Sequence, residues 1–285
     1  MNKTSCEILF ENNNTNRVFY GGEKIKGSVI ITFHKEKIIK GIYITFVGNA
    51  ECLWNENSGD KRIAYRGKEC YLSTRIYFIG EEDGEPITLK PDVYKYSFSC
   101  QLPEDLPTSL EGTFGSIRYA ATVTINVPIW PDKIFEKPFT VTKPVNLNEM
   151  FELKDSISVE KRKEFYLCCL LFCFKTMPLL ITAKLPSTGF TSGQRIDLIL
   201  EAENQSTKNV KNFKVEFFQI LIYKSNQMNS HRKAEKIRLS EHIPGGCGRE
   251  KSVLYTIGIE IPSSPPTDLT SSSVCRVKYE IQVVI

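Results

Sequence analysis

The chain has little of what membrane spanning, export, nucleic-acid binding or metal chemistry would require. Its most apolar stretch, Phe165 to Phe174 (FYLCCLLFCF), is ten residues long, well short of the roughly 20 that a spanning helix takes. The opening residues, MNKTSCEILFENNNTN, lack the apolar core of a signal peptide, so export is not expected. Nine cysteines is an odd number, and without export they are expected as reduced thiols in the cytosol. In that setting the Asn-x-Ser/Thr triplets at Asn2, Asn13 and Asn204 carry no weight as glycosylation sites. A formal charge of +4, with basic residues scattered among acidic ones, gives no reason to expect a nucleic-acid partner. There are three histidines, no Cys-x-x-Cys pair and no Gly-rich phosphate loop, so no metal or cofactor is expected. No amphipathic helix of useful length is present.

What the chain does have is alternation. Ile117, Tyr119, Ala121, Val123, Ile125 and Val127 fall on one side of a strand, opposite Ser116, Arg118, Thr122, Thr124 and Asn126. Successive side chains leave opposite faces of a pleated sheet, so this is a half-buried strand. The same period runs through Val29, Ile31 and Phe33, and through Ile42, Ile44, Phe46, Ala50, Cys52 and Trp54. It returns in Tyr94, Tyr96, Phe98 and Cys100, in Ile196, Leu198, Leu200 and Ala202, in Phe213, Val215 and Phe217, and in Val253, Tyr255, Ile257 and Ile259. Many such strands, punctuated by Gly, Pro and Asn, predict antiparallel sandwiches, an all-β fold. Long charged loops are expected at 55–69 and 224–236.

The strands also repeat. Leu102-Pro103-Glu104-Asp105-Leu106-Pro107-Thr108 corresponds to Ile261-Pro262-Ser263-Ser264-Pro265-Pro266-Thr267, and Ile117 to Val123 corresponds to Val277 to Val283. Phe19-Tyr20-Gly21-Gly22-Glu23-Lys24-Ile25 corresponds to Phe190-Thr191-Ser192-Gly193-Gln194-Arg195-Ile196. The offset is roughly 160 to 170 residues, one domain length. The chain therefore reads as two copies of one β-domain, over 1–145 and 165–285, with a polar connection at 146–164. After Tyr119 the first copy runs on into another strand-like segment, Phe135 to Val141, whereas only six residues follow Tyr279. The second sandwich is expected to lack its last strand or strands, which would leave an open edge.

Several repeated positions have physical reasons to be fixed. Gly22 and Gly193 sit where a turn hands over to a strand, and Gly27 and Gly115 sit within or at the start of strands. Pro103, Pro107, Pro262 and Pro266 pre-set a stiff extended path. Tyr119 and Tyr279 place large rings on the core face, where a hydroxyl can bond a loop. All ten read as fold maintenance.

In the segments VFYGGEKIKGSVII (18–31), ITFVGNAECLW (44–54), LPEDLPTSLEGTFGSIRYAATVTI (102–125), GFTSGQRIDLILEAENQS (189–206) and IPSSPPTDLTSSSVCRVKYEI (261–281) the chain resembles an arrestin, and more closely the α-arrestin, or arrestin domain-containing, branch. The resemblance spans almost the whole chain. It implies two tandem immunoglobulin-like sandwiches forming a non-enzymatic cytoplasmic adaptor in protein transport. Implied partners are cytoplasmic tails of membrane proteins and endocytic, sorting or ubiquitin-ligase machinery, with peripheral association at plasma membrane or endosomes. The usual ligase-binding Pro-Pro-x-Tyr is absent here: Pro265-Pro266-Thr267-Asp268 carries Asp in the Tyr position.

Among candidate contact residues, Lys61, Arg62, Arg66 and Lys68 form a basic group suited to phosphate or acidic cargo, with phosphoinositides as a further ligand. The cysteines at 168, 169 and 173 read as part of one apolar strand, with lipidation beside Lys161-Arg162-Lys163 as the alternative. Cys247 lies in what reads as a flexible glycine loop, near enough to His242 to consider a thiol–imidazole pair, though nothing supplies an orienting third group. Because some relatives in this branch engage thioredoxin through a cysteine, Cys247 is also the candidate reactive thiol for a redox-responsive alternative.

Overall fold

A computed structural model describes residues 4–11, 17–81, 84–169, 172–227, 230–267 and 272–285, with backbone alone for 167–169 and 172–175. Strands account for nearly all its regular structure. The first eleven are β1 (Ser5–Phe10), β2 (Val18–Tyr20), β3 (Lys24–Phe33), β4 (Lys37–Ile39), β5 (Gly41–Ser58), β6 (Lys61–Gly80), β7 (Ile87–Leu89), β8 (Asp92–Gln101), β9 (Leu110–Glu111), β10 (Gly115–Asn126) and β11 (Lys133–Thr142). A short 3-10 turn, Phe151–Lys154, precedes β12 (Ile157–Lys163), β13 (Tyr166–Cys169), β14 (Phe172–Lys175), β15 (Leu179–Leu185) and β16 (Arg195–Asn204). The last four are β17 (Val210–Lys224), β18 (Arg232–Cys247), β19 (Lys251–Glu260) and β20 (Cys275–Val284).

The chain divides into two compact units. The first comprises residues 1–144 together with 221–235 and 265–277; the second comprises 145–220, 236–264 and 278–285. In the first unit, one sheet has the order β1-β3-β8 and the other β2-β11-β10-β5-β6, with β9 on β10. The alternation predicts the buried set: Val29, Ile31 and Phe33 from β3, Ile42, Ile44 and Phe46 from β5, and Tyr119, Ala121, Val123 and Ile125 from β10 are all buried. Aromatic rings close the space between the sheets. Phe46 meets Phe98 of β8 at 5.5 Å, and Phe139 of β11 meets Phe19 at 5.6 Å and Phe10 at 6.0 Å. The two Phe139 pairs are edge-to-face, a packing that adds about 1 kcal/mol per pair beyond the area each ring buries.

The second unit holds the sheet β12-β15-β16-β19, the greater part of β18-β17-β20 (residues 221–224, 232–235 and 275–277 of those strands being counted in the first unit), and β13 and β14 paired as a separate antiparallel ribbon. Leu179, Ile181, Leu198, Leu200, Phe213, Val215, Phe217, Ile257 and Ile259 form the core.

The duplication extends to individual hydrogen bonds. Gly22 has φ +81°, and its N–H donates to the Pro103 carbonyl at 3.0 Å; Gly193 also has φ +81°, and its N–H donates to the Ile261 carbonyl at 2.8 Å, one position before the Pro262 that corresponds to Pro103. The Glu23 carboxylate accepts the Tyr20 N–H at 2.8 Å, and the Gln194 amide oxygen accepts the Thr191 N–H at 3.0 Å. The backbone then repeats the next pair, Leu102 N–H to Glu23 carbonyl and Ile261 N–H to Gln194 carbonyl. A positive φ is why glycine stands at both places.

Five sequence expectations change. Residues 55–69 are not a loop: β5 and β6 run on as a hairpin joined by Gly59 and Asp60. The loop expected at 224–236 is shorter, since β17 runs to Lys224 and β18 begins at Arg232. The Gly-rich 243–248 stretch is mostly strand, because β18 extends to Cys247. Within the segment read as a connection, Ile157–Lys163 is β12, paired along its length with β15. The apolar stretch 165–174 contains two paired strands rather than one, with Cys168 opposite Cys173; the side chains of this cluster lie outside the described residues.

Candidate functional site

The β5–β6 hairpin has two unlike faces, and the period of two explains both. On one face, Cys52 and Trp54 of β5 lie opposite Gly67 and Tyr65 of β6. Trp54, 2% exposed, stacks on Tyr65 at 5.5 Å, and Tyr65 in turn meets the His231 ring at 4.4 Å. The Trp54 indole N–H donates to Glu56, which pairs with Lys233 at 3.4 Å. Gly67 is required here: a Cβ would come within 2.5 Å of the Lys224 carbonyl and 2.9 Å of Cys52 Sγ. This face is the anchor of the hairpin.

The other face carries Arg62, Ala64, Arg66 and Lys68, opposite Asn57, Asn55, Leu53 and Glu51. All four β6 residues are exposed. Lys68 pairs with Glu51 at 2.6 Å, an exposed contact that water screens. Arg62 and Arg66 have no ion-pair partner among the described residues. Of the four basic residues singled out in the sequence, the fold thus aligns Arg62, Arg66 and Lys68 in one row and turns Lys61 to the opposite face. Further along the same sheet surface lies an open groove of about 930 Å³, lined by Asn49, Glu51, Glu111, Arg118, Glu136 and Pro138 among others. Arg118 is clamped there by Glu111 through two 2.7 Å hydrogen bonds.

Contacts distant in sequence hold this surface in place. Asn226 imitates a strand at the β6 edge. Its N–H donates to the Arg66 carbonyl at 3.2 Å and its side-chain amide to the Lys68 carbonyl at 2.7 Å. The Glu69 carboxylate accepts from the Tyr71 hydroxyl at 2.6 Å and from both the N–H and hydroxyl of Ser273. Burial pushes the Glu69 carboxyl up, but these donors and the charge of Arg276 outweigh it, so its pKa lies below the usual glutamate value. Glu235 behaves alike. Burial raises its carboxyl, and hydrogen bonds from the Thr113 hydroxyl, the Tyr223 hydroxyl (2.7 Å) and the Thr113 N–H more than offset that. Sequence reasoning missed Glu69, Tyr223, Asn226, Glu235 and Ser273, since no local pattern distinguishes them.

The ten fold positions fall where turns and core require them. Tyr119 is 2% exposed and donates to the Pro107 carbonyl at 2.6 Å. Tyr279 is half-buried against Phe217 and accepts from the Gln219 amide at 3.1 Å. Gly27 lies under the Phe98 ring and the Leu9 carbonyl, and Gly115 against Cys52, with no room for a Cβ at either. Pro262 and Pro266 follow β19, as Pro103 and Pro107 follow β8.

Cys247 is 1% exposed, and its thiol donates to the Lys251 carbonyl at 3.1 Å. Burial pushes its pKa up, so the thiolate that redox exchange needs is disfavoured. His242 lies five residues earlier on an extended strand, about 16 Å away, too far for a thiol–imidazole pair. The glycines there serve packing rather than flexibility: a Cβ on Gly246 would come within 2.2 Å of the Val210 and Lys211 carbonyls.

No helix among the described residues is long and apolar enough to cross a membrane. The family model for "Arrestin (or S-antigen), N-terminal domain" matches residues 6–148, and that for "Arrestin (or S-antigen), C-terminal domain" matches 175–285. Arrestin domain-containing protein 17 of Caenorhabditis elegans is 28% identical over 98% of this chain and 66% of its own length. Human arrestin domain-containing protein 4 is 25% identical over 99% of the chain and 67% of its own length, and the mouse protein of that name 26% identical over 72% and 50%. The chain spans half to two thirds of the length of these relatives. With both family models matched in order over a fold of two β-sandwich units, the chain belongs to the arrestin family, in its arrestin domain-containing, or α-arrestin, branch.

Proposed function

We propose that this protein is a non-enzymatic adaptor in protein transport that binds cytoplasmic tails of membrane proteins and couples them to endocytosis, endosomal sorting or ubiquitination. The observation that carries the reading is the exposed row of Arg62, Arg66 and Lys68, continuous with a broad groove of mixed polar and apolar lining on the outer face of the same sheet. An extended acidic or phosphorylated tail lies along such a face, with guanidinium groups taking its oxygens in charge-assisted hydrogen bonds. Each contact is weak, so affinity comes from several together. The adaptor works in the cytoplasm and associates peripherally with plasma membrane or endosomes. Ligase coupling is not assigned to Pro265-Pro266-Thr267-Asp268, which lacks the tyrosine. The geometry of Cys247 gives no support to the redox alternative, which is not carried forward.

Proximity labelling in cells tests this. The unaltered protein is expected to label membrane cargo together with endosomal or ubiquitin-pathway proteins, and an Arg62→Glu/Arg66→Glu/Lys68→Glu variant to lose the cargo. Recovery of no membrane, endosomal or ubiquitin-pathway protein by the unaltered chain would overturn the reading.

A further inference from the structure

The β10–β11 connection, Val127-Pro128-Ile129-Trp130-Pro131-Asp132, presents two large apolar side chains where a hairpin tip is ordinarily polar. Ile129 is fully exposed (102%) and Trp130 is 75% exposed. The backbone there is strained as well. Ile129 has φ +67°, directly after a proline, the pattern of a type II turn in which Gly or Asn takes the second central position. A β-branched residue at positive φ is an outlier that costs about 1–2 kcal/mol. Glycine would relieve that cost at once. An isoleucine kept in an unfavourable conformation, with its side chain fully in water, contributes nothing to the fold. Strain and apolar exposure at one position together mark a functional tip.

We propose that this tip is a membrane wedge: Ile129 and Trp130 insert into the interfacial layer of a lipid bilayer. The inference deepens the peripheral membrane association of the adaptor reading and rests on it for its cellular setting. Three features favour lipid over a protein partner. Two side chains of this size offer on the order of 300 Å², against about 800 Å² per partner in a stable protein interface. A bilayer needs no complementary surface, so a small convex wedge suffices. Tryptophan, with an apolar ring and one N–H, prefers the headgroup level.

The charges at the base of the tip are mixed. The Lys40 N–H donates to the Asn126 carbonyl at 2.9 Å, placing that lysine beside the end of β10. The Asp132 carboxylate turns back to the Val127 N–H at 3.4 Å, and Lys133 bonds the Thr4 hydroxyl at 2.8 Å. Two lysines against one aspartate leave only a small positive excess, so insertion is mainly apolar in origin and should proceed on zwitterionic lipid and change little with salt. Pro128 and Pro131 stiffen the loop and lower the entropy lost on insertion.

The test uses the full chain and phosphatidylcholine vesicles, with and without brominated acyl chains. The protein has two tryptophans, and Trp54 is buried, so contact quenching by brominated lipid reports on Trp130. The expected result is quenching of Trp130, co-sedimentation with vesicles, and about a tenfold loss of partitioning in Ile129→Gly/Trp130→Ser, with apparent Tm unchanged or raised. A Leu254→Ser variant, which removes another exposed apolar side chain, should partition like the unaltered protein. Absence of quenching and co-sedimentation, or equal partitioning by the double variant, would overturn the proposal. So would a concentration-dependent dimer lost in the double variant without any vesicle binding, which would make a second copy the occupant. Because the vesicles hold no protein, failure here leaves the cargo reading standing, and failure of cargo labelling leaves the wedge testable.

Discussion

The two copies of the proline-and-tyrosine motif share a backbone and differ in depth. At Gly22 and Gly193 the turns agree in dihedral angle, in the side-chain cap and in the bond from the later segment back to Glu23 or Gln194, while the acceptor of the glycine N–H shifts by one residue. At Tyr119 and Tyr279 the agreement ends. Tyr119 is flanked by β5 and β11, and Phe139 lies opposite it with the rings 5.9 Å apart. Among the described residues β20 pairs only with β17, and Tyr279 keeps part of its ring in water while its hydroxyl accepts from the Gln219 amide. A turn is fixed by a few local residues and survives duplication intact. Burial depends on which strands lie alongside, so it does not.

The largest test of this difference is truncation of the two rings. Tyr119→Ala should cost about 3–5 kcal/mol in denaturant unfolding, the range for removing a buried aromatic. Tyr279→Ala should cost less than half of that, because its ring is already partly solvated; equal costs would break the comparison. Tyr119→Phe isolates the hydroxyl and should cost about 1–3 kcal/mol by leaving the Pro107 carbonyl without its buried donor.

The turns supply the converse test. Gly22→Ala and Gly193→Ala each place a Cβ at φ +81°, and each should lower stability by about 1–2 kcal/mol. Here equality is the expected result. A cost confined to one copy would show that the shared turn geometry does not carry shared energetics.

Acid should separate the units more gently. Glu69 and Glu235 both belong to the first unit, and both have folded pKa values below the ordinary one. A depressed carboxyl contributes stability above its unfolded pKa of about 4.3, and that contribution is lost as pH falls through the folded pKa. Apparent Tm, followed by the emission of buried Trp54, should therefore drop below about pH 4.3, and Glu69→Gln/Glu235→Gln should flatten the drop. An unchanged acid profile in that variant would rule out these carboxylates as its cause. The smallest effect belongs to the exposed Glu51–Lys68 pair: Glu51→Gln should change stability by less than about 0.5 kcal/mol.

Much of this was legible in the sequence, for reasons the comparison makes concrete. Alternation named the core strands because each has one dry face, and the glycine and proline punctuation named the repeat. The charged stretch at 55–69 misled because β5 and β6 continue beyond the main core, where Arg62, Arg66 and Lys68 fill the wet face and only Tyr65 and Gly67 mark the dry one. Gly245 and Gly246 read as flexibility, but Gly245 answers a positive φ of +138° beside the Tyr255 ring and Gly246 a close approach of backbone at the end of β18. The clasp by Asn226 and the bonds from Glu69 to Ser273 join residues more than 150 positions apart, and no local pattern encodes such pairs. The basic residues were visible as a group. Their sorting into an exposed row and an opposite face needed the register of the hairpin.

The most direct measurement of the central claim, that the outer face of the β5–β6 hairpin takes cargo, is site-specific photocrosslinking in cells. A photoreactive residue at Arg62 or Arg66 should capture membrane-protein tails, while one at Leu254, exposed on β19, should not. Capture from Leu254 alone, or from none of the three positions, would contradict the account.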